Sequence, residues 1–139
     1  MNDFPVIPVN RHALSCRKPV FGVGINDADY IVKVRKSGGY VNGKRKHINV
    51  NICPFYKRWE AIIYRCYSEK EHLRNPSYKG CTVCREWLLF SNFKAWMEKQ
   101  DWKGKELDKD LLVRGNKVYS PETCIFVSLV VNSFMTEST

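Results

Sequence analysis

The order of residue types between Leu107 and Asn132 constrains this chain more than any other feature. Leu107-Asp108-Lys109-Asp110 predicts an acidic turn. The segment Tyr119-Ser120-Pro121-Glu122-Thr123-Cys124-Ile125-Phe126-Val127 predicts a short extended stretch held by a proline turn. We expect a helix carrying Asn132 directly after it. The sequence therefore predicts a turn, a strand and a helix in succession, with carboxylates at the turn and an amide on the helix.

The size and composition of the chain set the number of domains. With 139 residues, 44% of them apolar, the chain can bury one core. Residues 1–20 contain three prolines and predict an extended N-terminal arm, which leaves residues 21–139 as a single domain. No apolar run approaches membrane-spanning length, and no signal-peptide pattern opens the chain. We therefore expect a cytoplasmic protein with no membrane partner.

Positive charge is concentrated in one part of the sequence. The net charge is +9, and the segment from Tyr30 to Trp59 contains eight basic residues and no Asp or Glu. These residues are Lys33, Arg35, Lys36, Lys44, Arg45, Lys46, Lys57 and Arg58. A segment whose charged residues are all basic and are interleaved with aromatic residues favours a nucleic-acid partner. The alternative is a solvated basic surface that keeps a small protein soluble.

The first half of the chain predicts a basic sheet. The β-branched run Tyr30–Arg35 predicts a strand, and Ser37-Gly38-Gly39 and Asn42-Gly43 each predict a turn. Two or three strands are expected over residues 21–50.

Two helices are expected after this sheet. Apolar residues at three- and four-residue steps, preceded by Pro54, predict a helix over residues 54–67. A second helix is expected from Leu88 or Ser91 to Gln100, with Ser91 as its N-cap. A short final helix would span Leu129 to Phe134. The fold class is thus α+β, with a basic β-rich N-terminal part and two packed helices before the C-terminal segment.

The six cysteines favour reduced, buried thiols over disulfides in a cytoplasmic chain. Cys81-Thr82-Val83-Cys84 has the spacing of a zinc knuckle. Cys53 and Cys66 could complete a set of four zinc ligands, although they lie thirteen residues apart on one predicted helix. Zinc therefore stands as an alternative.

The C-terminal pattern resembles the ββα-metal core of HNH nucleases, and in particular the small phage-encoded HNH proteins. The resemblance includes the LDxD turn, the Gly-Asn loop, the YSPExC element, the following apolar strand and the late Asn132. Further similar segments begin at Cys53, Arg65 and Cys84, so the resemblance covers about residues 21–134. It implies a DNA-binding protein, with a metal-dependent endonuclease as one expected activity.

The resemblance also implies roles for individual residues. Asp108 and Asn132 fall at metal-ligand positions, and their oxygen ligands suit magnesium or manganese. Lys109 stands where the family has its base histidine, and Thr123 stands where it has its middle asparagine. Asp110 could act as a base through water or as a second ligand, and Asn116 could brace the loop in place of Thr123. The set of candidate catalytic residues is Asp108, Lys109, Asp110 and Asn132.

The two replaced positions leave two functions open. The first is a DNA endonuclease in which Lys109 contacts the scissile phosphate. The second is a catalytically inactive binding module that occupies DNA or inhibits a host nucleic-acid enzyme. The histidines His12, His47 and His72 all lie outside the C-terminal pattern, and His47 is best explained as part of a basic strand.

Overall fold

The protein is a mixed α+β structure built from short elements, as its sequence predicts. The computed structural model describes residues 4–128, apart from the side chains at positions 49 and 50. In chain order the α-helices and strands are α1 (Arg11–Ser15), β1 (Lys33–Val41), β2 (Lys44–Ile52), α2 (Pro54–Tyr67), α3 (Glu69–Arg74), β3 (Thr82–Val83), α4 (Phe90–Met97), β4 (Glu106–Asp108), β5 (Val118–Tyr119) and β6 (Ile125–Val127). Two short 3-10 helices, Pro76–Tyr78 and Arg85–Leu88, lie on either side of β3. The final helix expected at 129–134 lies outside the described residues.

Helix α2 has the predicted bounds and lies against the core. Pro54 occupies its first turn, where a missing backbone N–H costs little. Its apolar face buries Trp59, Ile62 and Ile63 almost completely. The Trp59 ring packs 5.5 Å from the Phe90 ring of α4, which confirms that the two predicted helices pack together. This contact joins the two longest helices of the described chain through aromatic burial.

The start of α4 differs from its prediction. Ser91 was expected to be the N-cap, but Leu89 holds that position and makes no side-chain capping bond. Asp27 instead accepts a hydrogen bond from the Ser91 backbone N–H at 2.8 Å. The backbone of Ile25 bonds to Leu88 and Phe90 and holds the chain extended up to the helix. A distant segment therefore supplies the cap, and no local pattern encodes that.

Strands β1 and β2 form one antiparallel hairpin. The predicted turn at Asn42-Gly43 is confirmed, since both residues adopt the positive φ values that a tight primed turn requires (52° and 77°). The turn predicted at Ser37-Gly38-Gly39 is wrong. These residues lie inside β1, where a register shift between Ser37 and Tyr40 marks a β-bulge. Glycine favours bulges and turns alike, so composition did not separate them.

The N-terminal arm packs across the body and is not extended throughout. Arg11–Ser15 forms the short helix α1. Phe4 is buried against Tyr30, with ring centroids 6.3 Å apart. Arg17 donates hydrogen bonds to three backbone carbonyls of the segment 26–30. These contacts attach the arm to the irregular segment that leads into the hairpin.

Two small sheets organise the C-terminal part. Strand β3 pairs in parallel with β5, and β4 pairs antiparallel with β6. The ring of Phe126 in β6 stacks on Trp96 of α4 with centroids 5.6 Å apart. The β4–β6 pair therefore rests on the core, and the chain from Asp108 to the start of β5 forms a long loop.

Candidate nucleic-acid interface and acidic loop

Asp108 ends β4 and caps the turn that follows it. Its Oδ2 atom accepts hydrogen bonds from the backbone N–H groups of Asp110 at 2.9 Å and Leu111 at 2.5 Å. This is the hydrogen-bonding pattern that makes aspartate common at turns. One carboxylate oxygen is thus engaged by the backbone. A metal-binding role for Asp108 would have to coexist with this turn.

Lys109 is buried beneath the loop. Its side chain is 11% exposed, and its Nζ atom donates to both carboxylate oxygens of Asp110, at 3.0 and 3.1 Å. The same ammonium group lies 5.8 Å from the centre of the Tyr119 ring. Lys109 is therefore a cationic donor in an ion pair, which is the reverse of the proton acceptor that a base histidine provides.

Asn116 and Thr123 hold the loop together. The Asn116 amide donates to the Lys109 carbonyl at 3.1 Å and also bonds the Val118 carbonyl. Thr123 Oγ1 donates to the same Val118 carbonyl at 2.9 Å, and it lies 2.7 Å from Ser120 Oγ. These short polar side chains thus connect the start of the loop to its end, and they fix the backbone conformation next to Asp108 and Lys109.

The second predicted metal ligand, Asn132, lies outside the described residues. Within residues 4–128, no three His, Cys, Asp or Glu side chains are arranged so that they could hold a metal ion. The described donor set at the loop is the carboxylate of Asp108 together with Asp110, whose oxygens face Lys109.

The four candidate zinc ligands do not come together as one site. Cys53 precedes α2 and Cys66 lies in its last turn, which separates them by about 20 Å along the helix axis. The Cys53 thiol lies 3.0 Å from the Tyr30 hydroxyl, on the hairpin side of the core.

The thiols near the loop are buried. Burial, with Cys81 nearby, raises the pKa of Cys66 from 9.0 to about 12. Burial also raises the pKa of Cys124 to about 11. Thiols of this kind are protonated near neutral pH and pack as small apolar groups. Cys124 is one of these buried thiols, although the sequence analysis did not single it out.

The hairpin carries five of the eight predicted nucleic-acid-binding residues on an exposed surface. All residues from Arg35 to Ile48 are exposed, and none of them is acidic. The five are Arg35, Lys36, Lys44, Arg45 and Lys46. At the base of the hairpin, Lys33 is half-buried and forms an ion pair of 2.9 Å with Glu60. Lys33 therefore attaches the hairpin to α2, and its charge is partly compensated.

A second basic surface lies between α2 and β4. A groove of about 270 Å³ is lined by Lys57, Arg58, Ala61, Ile62, Arg65, Lys105, Glu106 and Leu107. Arg58 is held in place because it donates to the Lys105 carbonyl at 3.3 Å and lies 5.5 Å from the Trp102 ring. Lys105 was not a sequence-based candidate. Its position two residues before Leu107, where the acidic turn begins, was the available signal.

The histidines take no part in the loop. His12 and His47 are exposed, and His72 bonds the Arg65 carbonyl at 2.8 Å.

Comparison of the chain with protein-family models, curated proteins and solved structures finds no match. Within the described part of the chain, every helix is too short or too polar to cross a bilayer.

Proposed function

We propose that this protein binds duplex DNA and is an HNH-like protein of the phage type. The observation that carries the proposal is the hairpin. It exposes fourteen consecutive residues, 35–48, of which five are Lys or Arg and none is Asp or Glu. A surface of this kind attracts a polyanion by releasing its counterions. The groove beside β4 adds four basic residues, Lys57, Arg58, Arg65 and Lys105, next to Glu106. The charge of Lys105 is partly compensated by an ion pair of 2.6 Å with Asp101.

The acidic loop supports the HNH part of the proposal. An antiparallel strand pair, β4 and β6, flanks a loop that is braced by Asn116 and carries Asp108 at its start. In an active enzyme, Asp108 and Asn132 would hold magnesium or manganese. The ion would polarise the scissile phosphate and stabilise the leaving oxygen. The basic groove begins next to this loop, because Glu106 and Leu107 of β4 line it.

A second candidate is a binding module without nuclease activity. The specific observation that favours it is the Lys109–Asp110 ion pair at 3.0 Å, which fills the position of the base with a buried cation. Such a protein would occupy DNA or block a host nucleic-acid enzyme at its site of action.

Supercoiled plasmid separates the two candidates. The protein would be incubated with plasmid and magnesium or manganese beside the variants Asp108→Asn and Lys109→Gln. Asparagine keeps an oxygen acceptor for the turn and removes the ligand charge, so loss of activity in Asp108→Asn reports on the site and not on folding. The matched control is Glu122→Gln, an exposed carboxylate of the same segment.

The outcomes are distinct. Metal-dependent nicking that disappears in Asp108→Asn and persists in Glu122→Gln establishes an endonuclease. Plasmid retardation without nicking, equal in all variants, establishes the binding module. Absence of both retardation and nicking at low salt would refute DNA binding.

A further inference from the structure

We infer that the β1–β2 hairpin recognises duplex DNA in the major groove, with one face directed to base edges and the other supplying phosphate contacts. This inference rests on the DNA-binding function proposed above. It adds the element that makes the contact, the groove that it enters and the separate roles of its two faces.

The hairpin projects from the body. Val34 and Ile52 pack against the core at its base, and the Lys33–Glu60 ion pair attaches it to α2. Beyond that base, residues 35–48 are all exposed. A two-stranded hairpin with no core beneath it is marginally stable in water. A partner that covers it would therefore stabilise it, and the partner must accept a surface without acidic residues.

The strand register sorts the exposed side chains into two sets. Cross-strand partners share a face, and side chains alternate along each strand. Tyr40 pairs with Arg45 and Ser37 with His47, whereas Val41 pairs with Lys44 and Lys36 with Ile48. One face therefore carries Arg35, Ser37, Tyr40, Arg45 and His47, and the opposite face carries Lys36, Val41, Lys44, Lys46 and Ile48.

The bulge maintains this separation. Ser37 and Tyr40 are three residues apart, yet they share a face because β1 contains one more residue than β2 at this point. Gly39 provides the positive φ of 83° at the bulge. At Gly38, an added Cβ would lie 2.7 Å from the Ile48 side chain, so the backbone approaches that side chain closely. The two glycines thus place Arg35, Ser37 and Tyr40 on the face of Arg45.

The two faces have different chemistry. Arginine donates two parallel hydrogen bonds to guanine O6 and N7, and serine can bond any base edge. Arg45 also lies 5.8 Å from the Tyr40 ring, a contact that restrains its guanidinium group. The opposite face contributes Lys36, Lys44 and Lys46, which are flexible point charges suited to phosphates at any sequence. The first face therefore carries hydrogen-bond donors that can distinguish base sequences, and the second carries positive charge that raises the affinity for DNA of any sequence.

The dimensions of the hairpin favour DNA over RNA. The major groove of B-DNA is about 12 Å wide and admits a two-stranded ribbon, whereas the minor groove is about 6 Å wide. The major groove of A-form RNA is too deep and narrow for side chains to read. The nine-residue strands span about 30 Å, which is long enough to follow the groove while the base stays on the body.

The test begins with selection of bound duplexes from a random pool by the wild-type protein. We expect enrichment of a motif that contains guanine. The same selection with Arg35→Lys/Arg45→Lys keeps the charge but removes the bidentate donors, so the motif should disappear while affinity for random DNA stays within about threefold. Lys44→Gln/Lys46→Gln is the matched control, which should lower affinity for all sequences and keep the motif.

Base analogues identify the groove. Replacing guanine by 7-deazaguanine in the selected duplex removes the N7 acceptor from the major groove, and we expect about tenfold weaker binding. Replacing guanine by inosine removes the amino group from the minor groove and should change affinity by less than about threefold. All hairpin substitutions are at exposed positions, and circular dichroism should show an unchanged fold.

Several outcomes would overturn the inference. These are an unchanged motif in Arg35→Lys/Arg45→Lys, stronger sensitivity to inosine than to 7-deazaguanine, and equal affinity for a duplex RNA. Tight DNA binding that is indifferent to every hairpin substitution would defeat this inference and leave the proposed function standing. Failure of the wild-type protein to bind any nucleic acid at low salt would defeat the proposed function itself.

Discussion

At the scale of single residues, Asp108 combines a structural contact with a candidate catalytic position. Its Oδ2 atom accepts two backbone hydrogen bonds that form the turn after β4. Aspartate is common both at turns and among metal ligands, so the residue type alone does not separate these roles. Substitutions that keep the acceptor but change the charge do separate them.

We predict that Asp108→Ala lowers the free energy of unfolding by about 1 kcal/mol, because two backbone N–H groups lose their acceptor. Asp108→Asn should stay within about 0.5 kcal/mol of the wild type, because its amide oxygen can accept the same bonds. Urea unfolding measures both values. Equal losses in the two variants would mean that charge, and not the turn hydrogen bonds, stabilises this position.

The cysteines make a second residue-scale prediction. Cys16 is exposed, whereas Cys53, Cys66, Cys81 and Cys124 are buried. Iodoacetamide at pH 7.5 should therefore alkylate Cys16 in the native protein and the four buried thiols only after denaturation. Mass spectrometry of the digested protein identifies which cysteines are alkylated. Rapid native labelling of Cys66 or Cys124 would show that the thiols near the loop are accessible.

At the scale of elements, the hairpin should behave as a unit separable from the body. Residues 35–48 contribute no buried side chain, so the core does not depend on them. The turn at Asn42-Gly43 sets the register of the two strands. A change at this turn should therefore alter the hairpin without altering the packing of α2 and α4.

We predict that Gly43→Ala weakens the hairpin by about 1 kcal/mol, since alanine is strained at φ 77°. Hydrogen exchange should become faster at the hairpin amides and stay unchanged in α2. Gly43→Asn is the control, because asparagine tolerates this conformation. A fall of several degrees in the melting temperature of the whole protein would contradict the separability of the hairpin.

Sequence predicted the elements that local signals determine. Pro54 and the helical spacing of apolar residues defined α2, and Asn42-Gly43 defined the hairpin turn. Elements that depend on distant partners were missed or misassigned. The cap of α4 comes from Asp27, and the parallel pairing of β3 with β5 joins two-residue strands that have no periodicity of their own. Long-range backbone pairing leaves no local pattern to detect.

In the candidate site too, the sequence predicted the local features and missed those that depend on long-range contacts. The basic residues of the hairpin could be listed from charge alone, but their division between two faces required the bulge and the register. The long-range contact of Asn116 with the Lys109 carbonyl and the Lys109–Asp110 ion pair depend on how the loop folds back. Sequence indicated which residues matter in the loop and could not indicate which of them contact one another.

At the scale of the whole molecule, buried phenols and thiols link stability to alkaline pH. Burial raises the pKa of Cys66 from 9.0 to about 12 and that of Cys124 to about 11. Burial also raises the pKa values of Tyr30, Tyr56 and Tyr119 above their usual 10.0. The folded state therefore retains protons that the unfolded chain loses at high pH.

We predict that the free energy of unfolding is unaffected by these groups below pH 9 and falls as the pH rises from 9 toward 12. The unfolded thiols ionise first, so each pH unit in this window costs up to about 1.4 kcal/mol per group. Urea unfolding at pH 8, 9.5 and 11 tests this. A constant unfolding midpoint across the three values would contradict the burial of these groups.

The most direct test of the account is the salt dependence of DNA affinity. Fluorescence anisotropy of a labelled duplex would be measured from 50 to about 200 mM salt, for the wild type and for Lys44→Gln/Lys46→Gln. Each phosphate contact contributes about −0.9 to the slope of log affinity against log salt. We predict a steep negative slope for the wild type that is reduced by about two in the variant. No binding at 50 mM salt, or an identical slope for both proteins, would contradict DNA binding through the hairpin.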